Sequence, residues 1–480
     1  MGILYMADAV SELNSGNDAR EAREPLFVPG EMEPRKPRYT PDDMPVTDRL
    51  GQPDGQRVMP DQGAGENADS KEKKSFFGRM KENFISGGQT DFTLLAAATA
   101  LVIFGVVMVF SSSYYIALNR EGTPFYYLGR QIFFASTGFV MMYVMSKFDY
   151  HKLIKATLPV MILALILLIL VIAGLGRTVN NATRWIALGP ITIMPGEFAK
   201  VAVIMFVAGF IARDHRRVYS LRNGILPVAA VTAVYAILII RQPNLSTALT
   251  VAGIAFGMLF LAGLQWRYLV AIIVMMFGAV LALIRFGGYT HWQSRLLSFS
   301  DPFKYALGEG FQVVQSLLAL GTGGFFGLGL GKSVQKNLYL PEPMNDFILS
   351  IVGEELGLVG VFFLMALFMV LIWRCFIVAM HAPDRYGMLL SGGTAVMIAI
   401  QVIMNVAVVT SSMPPTGVAL PFISYGGNAL WICMGLIGVV LNVSRQSDLY
   451  LAEEEEQEED DKADIFSADE ELRKLGYTEE

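Results

Sequence analysis

Apolar residues come in long unbroken blocks rather than alternating with polar ones, and ten such blocks fill the chain between Asp91 and Arg445. They lie near 92–115, 126–147, 153–175, 196–212, 223–240, 244–264, 268–286, 346–380, 386–410 and 428–447. Residues 158–173 carry no charge at all. A helix needs roughly 20 apolar residues to cross the hydrocarbon of a bilayer, and only helices or closed barrels satisfy the backbone there. The period-two alternation of strands is absent. The pattern therefore predicts an all-α polytopic membrane protein with about ten transmembrane helices.

The polar segments between the blocks alternate in character. One set is short and basic: residues 147–155, then Arg213, Arg216, Arg217 and Arg222, then Arg267, then 374–385. With ten crossings these fall on the same side as Arg445 and the cluster Lys71, Lys73, Lys74, Arg79 and Lys81. The positive-inside rule makes that side cytoplasmic and puts both termini there. The other side carries a segment at 176–195 and a large extracytoplasmic loop, about 287–345, between the seventh and eighth blocks. Connections longer than about 15 residues without regular structure usually have a function. This one is rich in glycine and aromatic residues and is expected to lie along the membrane face or re-enter it. Chemistry is expected on this outer side.

Composition refines the picture. The formal charge of −6 over 480 residues comes largely from the ends, above all Glu453, Glu454, Glu455, Glu456, Glu458, Glu459, Asp460 and Asp461. Residues 1–90 mix proline, glycine and acidic residues and are expected to be a disordered cytoplasmic tail rather than a cleavable signal. Residues 91–447 form the membrane domain, and 448–480 an acidic, solvated cytoplasmic tail. Cys375 and Cys433 sit in apolar helical surroundings and read as small buried hydrophobes. The four histidines show no metal-ligand spacing. Residues 321–331 are glycine-rich, but no strand precedes them and Lys332-Ser333 lacks the Walker spacing. No nucleic-acid motif is present.

Charges at membrane depth are costly, so each marks a candidate site. Glu197 and Lys200, three residues apart at a helix start marked by Pro195, share a face and can pair. Glu354 and Glu355 lie inside the eighth block. Adjacent residues point in different directions, so one of the two is expected to face a partner across the bundle.

Three stretches carry a resemblance. The first is Pro414-Pro415-Thr416-Gly417-Val418-Ala419-Leu420-Pro421-Phe422-Ile423-Ser424-Tyr425-Gly426-Gly427. The second runs through Gly329-Leu330-Gly331-Lys332-Ser333-Val334-Gln335-Lys336, Tyr339-Leu340-Pro341-Glu342, Asn345-Asp346-Phe347-Ile348 and Gly353-Glu354-Glu355-Leu356-Gly357. The third is Ala182-Thr183-Arg184-Trp185-Ile186 followed by Pro195-Gly196-Glu197-Phe198-Ala199-Lys200. Together they resemble the SEDS family (shape, elongation, division and sporulation), the multi-spanning polymerases of bacterial peptidoglycan. The Thr-Gly-Val-Ala-Leu-Pro and Ser-Val-Gln-Lys forms look more like the FtsW and SpoVE branches than the RodA branch.

The resemblance implies a glycosyltransferase that polymerises lipid II. An acceptor 4-hydroxyl attacks the anomeric carbon of a strand held as a polyprenyl diphosphate. Such a reaction needs a base at the hydroxyl, positive charge at the departing diphosphate and an apolar groove for the polyprenyl tail. Arg184, Lys200, Arg295, Lys332 and Lys336 are the expected sources of charge, with Glu197, Glu354 and Ser424 completing the substrate-binding set. A divalent cation, magnesium or manganese, is an expected companion of the diphosphate rather than a stably bound cofactor. The implied partner is a class B penicillin-binding protein, the transpeptidase that cross-links new strands. The tails would meet cytoplasmic division proteins.

One departure stands out. Family members carry an acidic residue, the proposed base, in a loop pattern Asn-Pro-Trp-x-Asp-Pro-x-Gly-x-Gly-Tyr-Gln. Here the ungapped counterpart is Asp301-Pro302-Phe303-Lys304-Tyr305-Ala306-Leu307-Gly308-Glu309-Gly310-Phe311-Gln312, which places Tyr305 at that position. A tyrosine with a pKa of about 10 is a poor base at neutral pH. Asp301, four residues earlier, and Glu309, four later, are the replacements open to the chain. Two other readings remain: a flippase for the lipid-linked precursor, and a catalytically weakened scaffold that recruits the transpeptidase.

Overall fold

The computed structural model describes residues 89–447 apart from 180, 181, 189, 190, 287–289 and 309. Both tails and Glu309 lie outside the described residues. The described chain is mostly helical: α1 (Phe92–Glu121), α2 (Tyr126–Lys147), α3 (Leu153–Leu170), α4 (Pro195–Ala212), α5 (Leu226–Ile240), α6 (Leu245–Leu261) and α7 (Trp266–Phe286) come first. They are followed by α8 (Thr290–Ser300), α9 (Phe311–Gly323), α10 (Ile348–Met380), α11 (Arg385–Val409) and α12 (Gly427–Arg445).

Seven helical stretches among the described residues are long and apolar enough to cross a membrane: Phe92–Glu121, Tyr150–Leu175, Pro195–Ala212, Leu221–Ile240, Ile348–Met380, Arg385–Val409 and Gly427–Arg445. Leu245–Leu261 and Trp266–Met276 are apolar but shorter. The protein is thus a multi-pass membrane protein, while the figure of ten crossings rests on the charge pattern.

Helix ends follow local chemistry. Asp91 caps α1 by accepting from the Leu94 N–H at 2.8 Å, and Gly122 ends that helix in the left-handed conformation. Pro195 opens α4 with Glu197 in its first turn, where the helix dipole favours an anion. Asp384 caps α11 through the Gly387 N–H at 2.9 Å. In the bundle, α12 packs along α2, and α11 packs against α4, α6 and α10.

Two polar knots define one end of the bundle. Asp91 accepts from Arg374 at 2.7 Å, and its backbone N–H donates to Ser444 Oγ at 3.3 Å. The Tyr150 hydroxyl donates to Asp384 at 2.7 Å, and its N–H to Asn442 Oδ1 at 3.0 Å. These knots gather the start of α1, the ends of α10 and α12 and the α2–α3 and α10–α11 turns at the basic end. The connections at 176–194, 241–244 and 410–426 lie at the other end, since every intervening helix runs between the two.

The structure departs from the sequence reading in two connections. Residues 176–195 hold a three-stranded antiparallel sheet, β1 (Arg177–Val179), β2 (Ala182–Leu188) and β3 (Ile191–Ile193), rather than a plain loop. Its strands are three to seven residues long, too short for alternation to stand out. The long connection contains α8 and α9 rather than irregular chain throughout. Four of its glycines, Gly324, Gly327, Gly329 and Gly331, follow α9 directly.

α10 is broken at Gly357 (φ 68°, ψ −168°). The break frees the carbonyls of Glu354 and Glu355, which accept the N–H groups of Leu328 and Gly329 at 3.0 and 2.9 Å. A Cβ at Gly357 would stand 2.3 Å from the Gly327 nitrogen. Gly357→Ala is therefore expected to destabilise the fold by about 1–3 kcal/mol, from the forced φ alone. A lowered melting temperature of the detergent-purified protein measures it; an unchanged one contradicts this account.

Candidate active site

The segment leading into α10 is fastened by the loop between α11 and α12. Ser424 Oγ accepts from the Leu420 N–H at 2.8 Å and donates to the Asn345 carbonyl at 2.7 Å. The Tyr425 N–H donates to the Met344 carbonyl at 2.9 Å. Asn405 of α11 donates to the carbonyls of Asp346 and Val418 at 2.8 and 2.7 Å. Gly417 (φ 73°) passes so close that a Cβ there would lie 3.0 Å from Asp346 Oδ2. Only glycine allows this approach.

Two arginines come to the same place from elsewhere in the chain. Arg295 on α8 donates to the Pro415 carbonyl at 2.8 Å. Arg184 on β2 donates to the Pro243 carbonyl between α5 and α6. The sheet is held to α12 by Asn428 Nδ2, which donates to the Thr192 carbonyl at 2.6 Å. Asp346, Glu342, Arg184 and Arg295 are all half-buried, so together they line a crevice that solvent still reaches.

The electrostatics of the crevice follow from this crowding. Burial raises the Asp346 carboxyl to about 6, with Glu342 pushing the same way and Arg184 and Arg295 opposing. Burial likewise pulls Arg184 down to about 10, helped by the like charge of Arg295 and resisted by Asp346. Arg184 Nε, Asn345 Oδ1, Asn405 Oδ1 and Thr416 Oγ1 are buried without a hydrogen-bond partner among the described residues. Unpaired buried polar atoms are costly, and several at one crevice suit a polar ligand.

A second cluster lies deeper. Glu355 on α10 accepts from Lys336 Nζ at 2.6 Å and from Ser111 Oγ of α1 at 2.7 Å, and Lys336 also donates to Ser111 at 3.0 Å. Glu354 accepts the Ser333 hydroxyl and the backbone N–H groups of Val334 and Gln335, at 2.8 Å for Val334. Both glutamates are thus engaged, where one was expected. The turn at 333–336 folds over the helix and reaches both carboxylates, which spacing along the helix alone does not reveal. Lys336 is committed to this buried pair rather than to the crevice, whereas Lys332 is exposed.

The Glu197–Lys200 pair forms as the spacing predicted, at 2.6 Å and buried. Asp301 is exposed and accepts the Lys304 N–H of its own turn at 3.2 Å. Tyr305 is exposed, with the Lys304 ammonium 5.8 Å from its ring centre. The structure therefore brings Arg184, Arg295 and Ser424 to one crevice, puts Lys336 and Glu354 in the deeper cluster, and leaves Glu197 with Lys200 as a pair. Sequence reasoning missed Asp346, Glu342 and Asn405 as site residues, and of the two adjacent glutamates it put Glu354 rather than Glu355 in the substrate-binding set. The available signal was an aspartate set directly against an apolar block, the criterion that had singled out Glu197.

A helical membrane bundle with a charged crevice at the end opposite its basic connections describes the class of protein. The chain belongs to the FtsW/RodA/SpoVE family, whose model, described as cell cycle protein, matches residues 92–449. It is similar to the probable peptidoglycan glycosyltransferase FtsW of Trichlorobacter lovleyi, at 40% identity over 74% of this chain and 93% of the relative. It is also similar to stage V sporulation protein E of Bacillus subtilis, at 38% identity over 74% of this chain and 97% of the relative. Among solved structures, a chain of a peptidoglycan synthase complex coordinating polymerisation and crosslinking matches at TM-score 0.60 and 28% identity, covering 74% of this chain and 98% of that one. The rod shape determining protein RodA of Thermus thermophilus matches at TM-score 0.56 and 28% identity, covering 75% and 97%.

Lys336→Met would leave Glu355 charged and unpaired inside the bundle, at a cost of about 3–5 kcal/mol. Lys336→Met combined with Glu355→Leu is expected to recover most of that loss. Melting of the two variants in detergent distinguishes an ion pair that fixes the fold from a dispensable one.

Proposed function

We propose that this protein is a peptidoglycan glycosyltransferase that polymerises lipid II into glycan strands at the outer face of the cytoplasmic membrane during cell division. The observation that carries the reading is the crevice: two arginines and a carboxyl group gathered beside unpaired buried polar atoms, in a chain of this family. Arg184 and Arg295 supply the positive charge that a departing diphosphate needs, from donors fixed in advance by backbone carbonyls. Lys332, exposed near the same loop, adds to the field that attracts the substrate.

The bundle is proposed to cross the membrane ten times with both termini cytoplasmic, which puts the crevice outside. The basic turns at the opposite end support that orientation. A class B penicillin-binding protein is the proposed partner, cross-linking the strands made here. The name of the synthase complex that this chain resembles supports such a pairing. Cytoplasmic division proteins would meet the tails, and membrane lipid surrounds the bundle.

A resident metal does not fit the crevice. Among the described residues no group of three or more His, Cys, Asp or Glu side chains gathers, and Asp346 lies in the field of two arginines. Magnesium or manganese is proposed to travel with the diphosphate as part of the substrate.

Purified protein given labelled lipid II, with and without the transpeptidase, is expected to form glycan strands. Translocation in liposomes without polymer would instead indicate a flippase. Neither activity, with transpeptidase binding retained, would indicate a scaffold. Arg184→Gln and Arg295→Gln are each expected to lower turnover about 10²-fold. Asp301, Tyr305 and Glu309, replaced singly, decide whether that turn supplies the base. Normal polymerisation by all three variants excludes it.

A further inference from the structure

The loop that fastens the crevice carries a further side chain, the half-buried Tyr425. Its N–H donates to the Met344 carbonyl at 2.9 Å, and its ring meets Tyr127 of α2 edge to face, with centres 5.3 Å apart. Tyr127 meets Tyr126 in the same manner at 5.2 Å. Arg130, one turn further along α2, donates to the Tyr126 hydroxyl at 3.1 Å and lies 5.8 Å from the centre of that ring. Tyrosines and a half-buried guanidinium thus extend the crevice as a wall built from α2 and the loop before α12.

This wall differs from the aromatic belts of membrane proteins, whose rings spread outward among the headgroups. Tyr127 is only 9% exposed and packs with Met344 in one buried cluster, against which Tyr425 rests. Tyr126, at 37%, keeps a face and an edge open. Gln131 follows Tyr127 on the same face of α2, fully buried, and neither of its amide atoms has a hydrogen-bond partner among the described residues. Asn345 Oδ1, next to Met344, is likewise buried and unpaired. Unpaired amide atoms at both ends of the wall suit a ligand rich in hydroxyl and amide groups.

A sugar chain has that chemistry together with apolar faces. The C–H side of a pyranose covers an aromatic ring, while its hydroxyl and N-acetyl oxygens accept from a forked donor such as arginine. We propose that Tyr126, Tyr127, Tyr425 and Arg130 form a glycan-binding subsite beside the crevice, which rests on the polymerase reading above. The subsite holds sugar units of the growing strand next to the reacting pair and keeps the strand on the protein between additions. No bond is made or broken there. Its contribution is residence time: the number of additions per strand is the rate of addition divided by the rate of strand release, and each contact with the wall slows release.

The test uses the full chain with its transpeptidase and labelled lipid II, and reads both strand length and total lipid II consumed. Arg130→Gln and Tyr425→Leu are each expected to shorten the strands about 3–10-fold, the loss of one such contact, while consumption falls by much less. Tyr425→Phe, which keeps the ring, is expected to recover strand length relative to Tyr425→Leu, a rescue specific to stacking. Should Tyr425→Leu fail to fold, Tyr126→Leu, at an exposed ring, takes its place in the same assay. Wild-type strand length in Arg130→Gln and in the leucine variant overturns the subsite and leaves the polymerase reading standing. An equal fall in length and consumption, unrelieved in Tyr425→Phe, marks the wall as structural and overturns it too. Absence of glycan strands from the wild-type complex overturns both readings.

Discussion

A charge carried to membrane depth has to meet its opposite inside the protein, because neither lipid nor water is at hand to solvate it. Three ion pairs obey this constraint and set the shape of the bundle. Asp91–Arg374 ties the start of α1 to the end of α10 at 2.7 Å, Glu197–Lys200 lies within α4 at 2.6 Å, and Lys336–Glu355 fastens the long connection to α10 at 2.6 Å. The last has the largest consequence. It draws the turn at 333–336 between α1 and α10, and the break at Gly357 allows backbone from 327–329 to complete the contact.

The crevice shows the same physics with a different outcome. Arg184 and Arg295 each donate to a backbone carbonyl. Asp346 lies in their field, and burial holds its proton affinity up against them. A structural site pairs its charges at contact distance.

Membrane character and helix positions were legible because a bilayer imposes one crude rule, about 20 apolar residues per crossing. The Glu197–Lys200 pair was legible for a similar reason, since three residues of helix place two side chains on one face. The short sheet at 177–193 was not, because strands of this length leave no period. Nor were both partners of Glu354 and Glu355, which come from a turn about 20 residues earlier that spacing cannot connect to them.

The chain by itself determined a multi-spanning helical protein, its family, and a set of costly charges demanding partners, because hydropathy and helical period act locally. Which charges meet was decided by tertiary structure alone. Arg184, Arg295 and Asp346 come from a strand, a short helix and a helix entry far apart in sequence, and only packing around the 414–427 loop makes them neighbours.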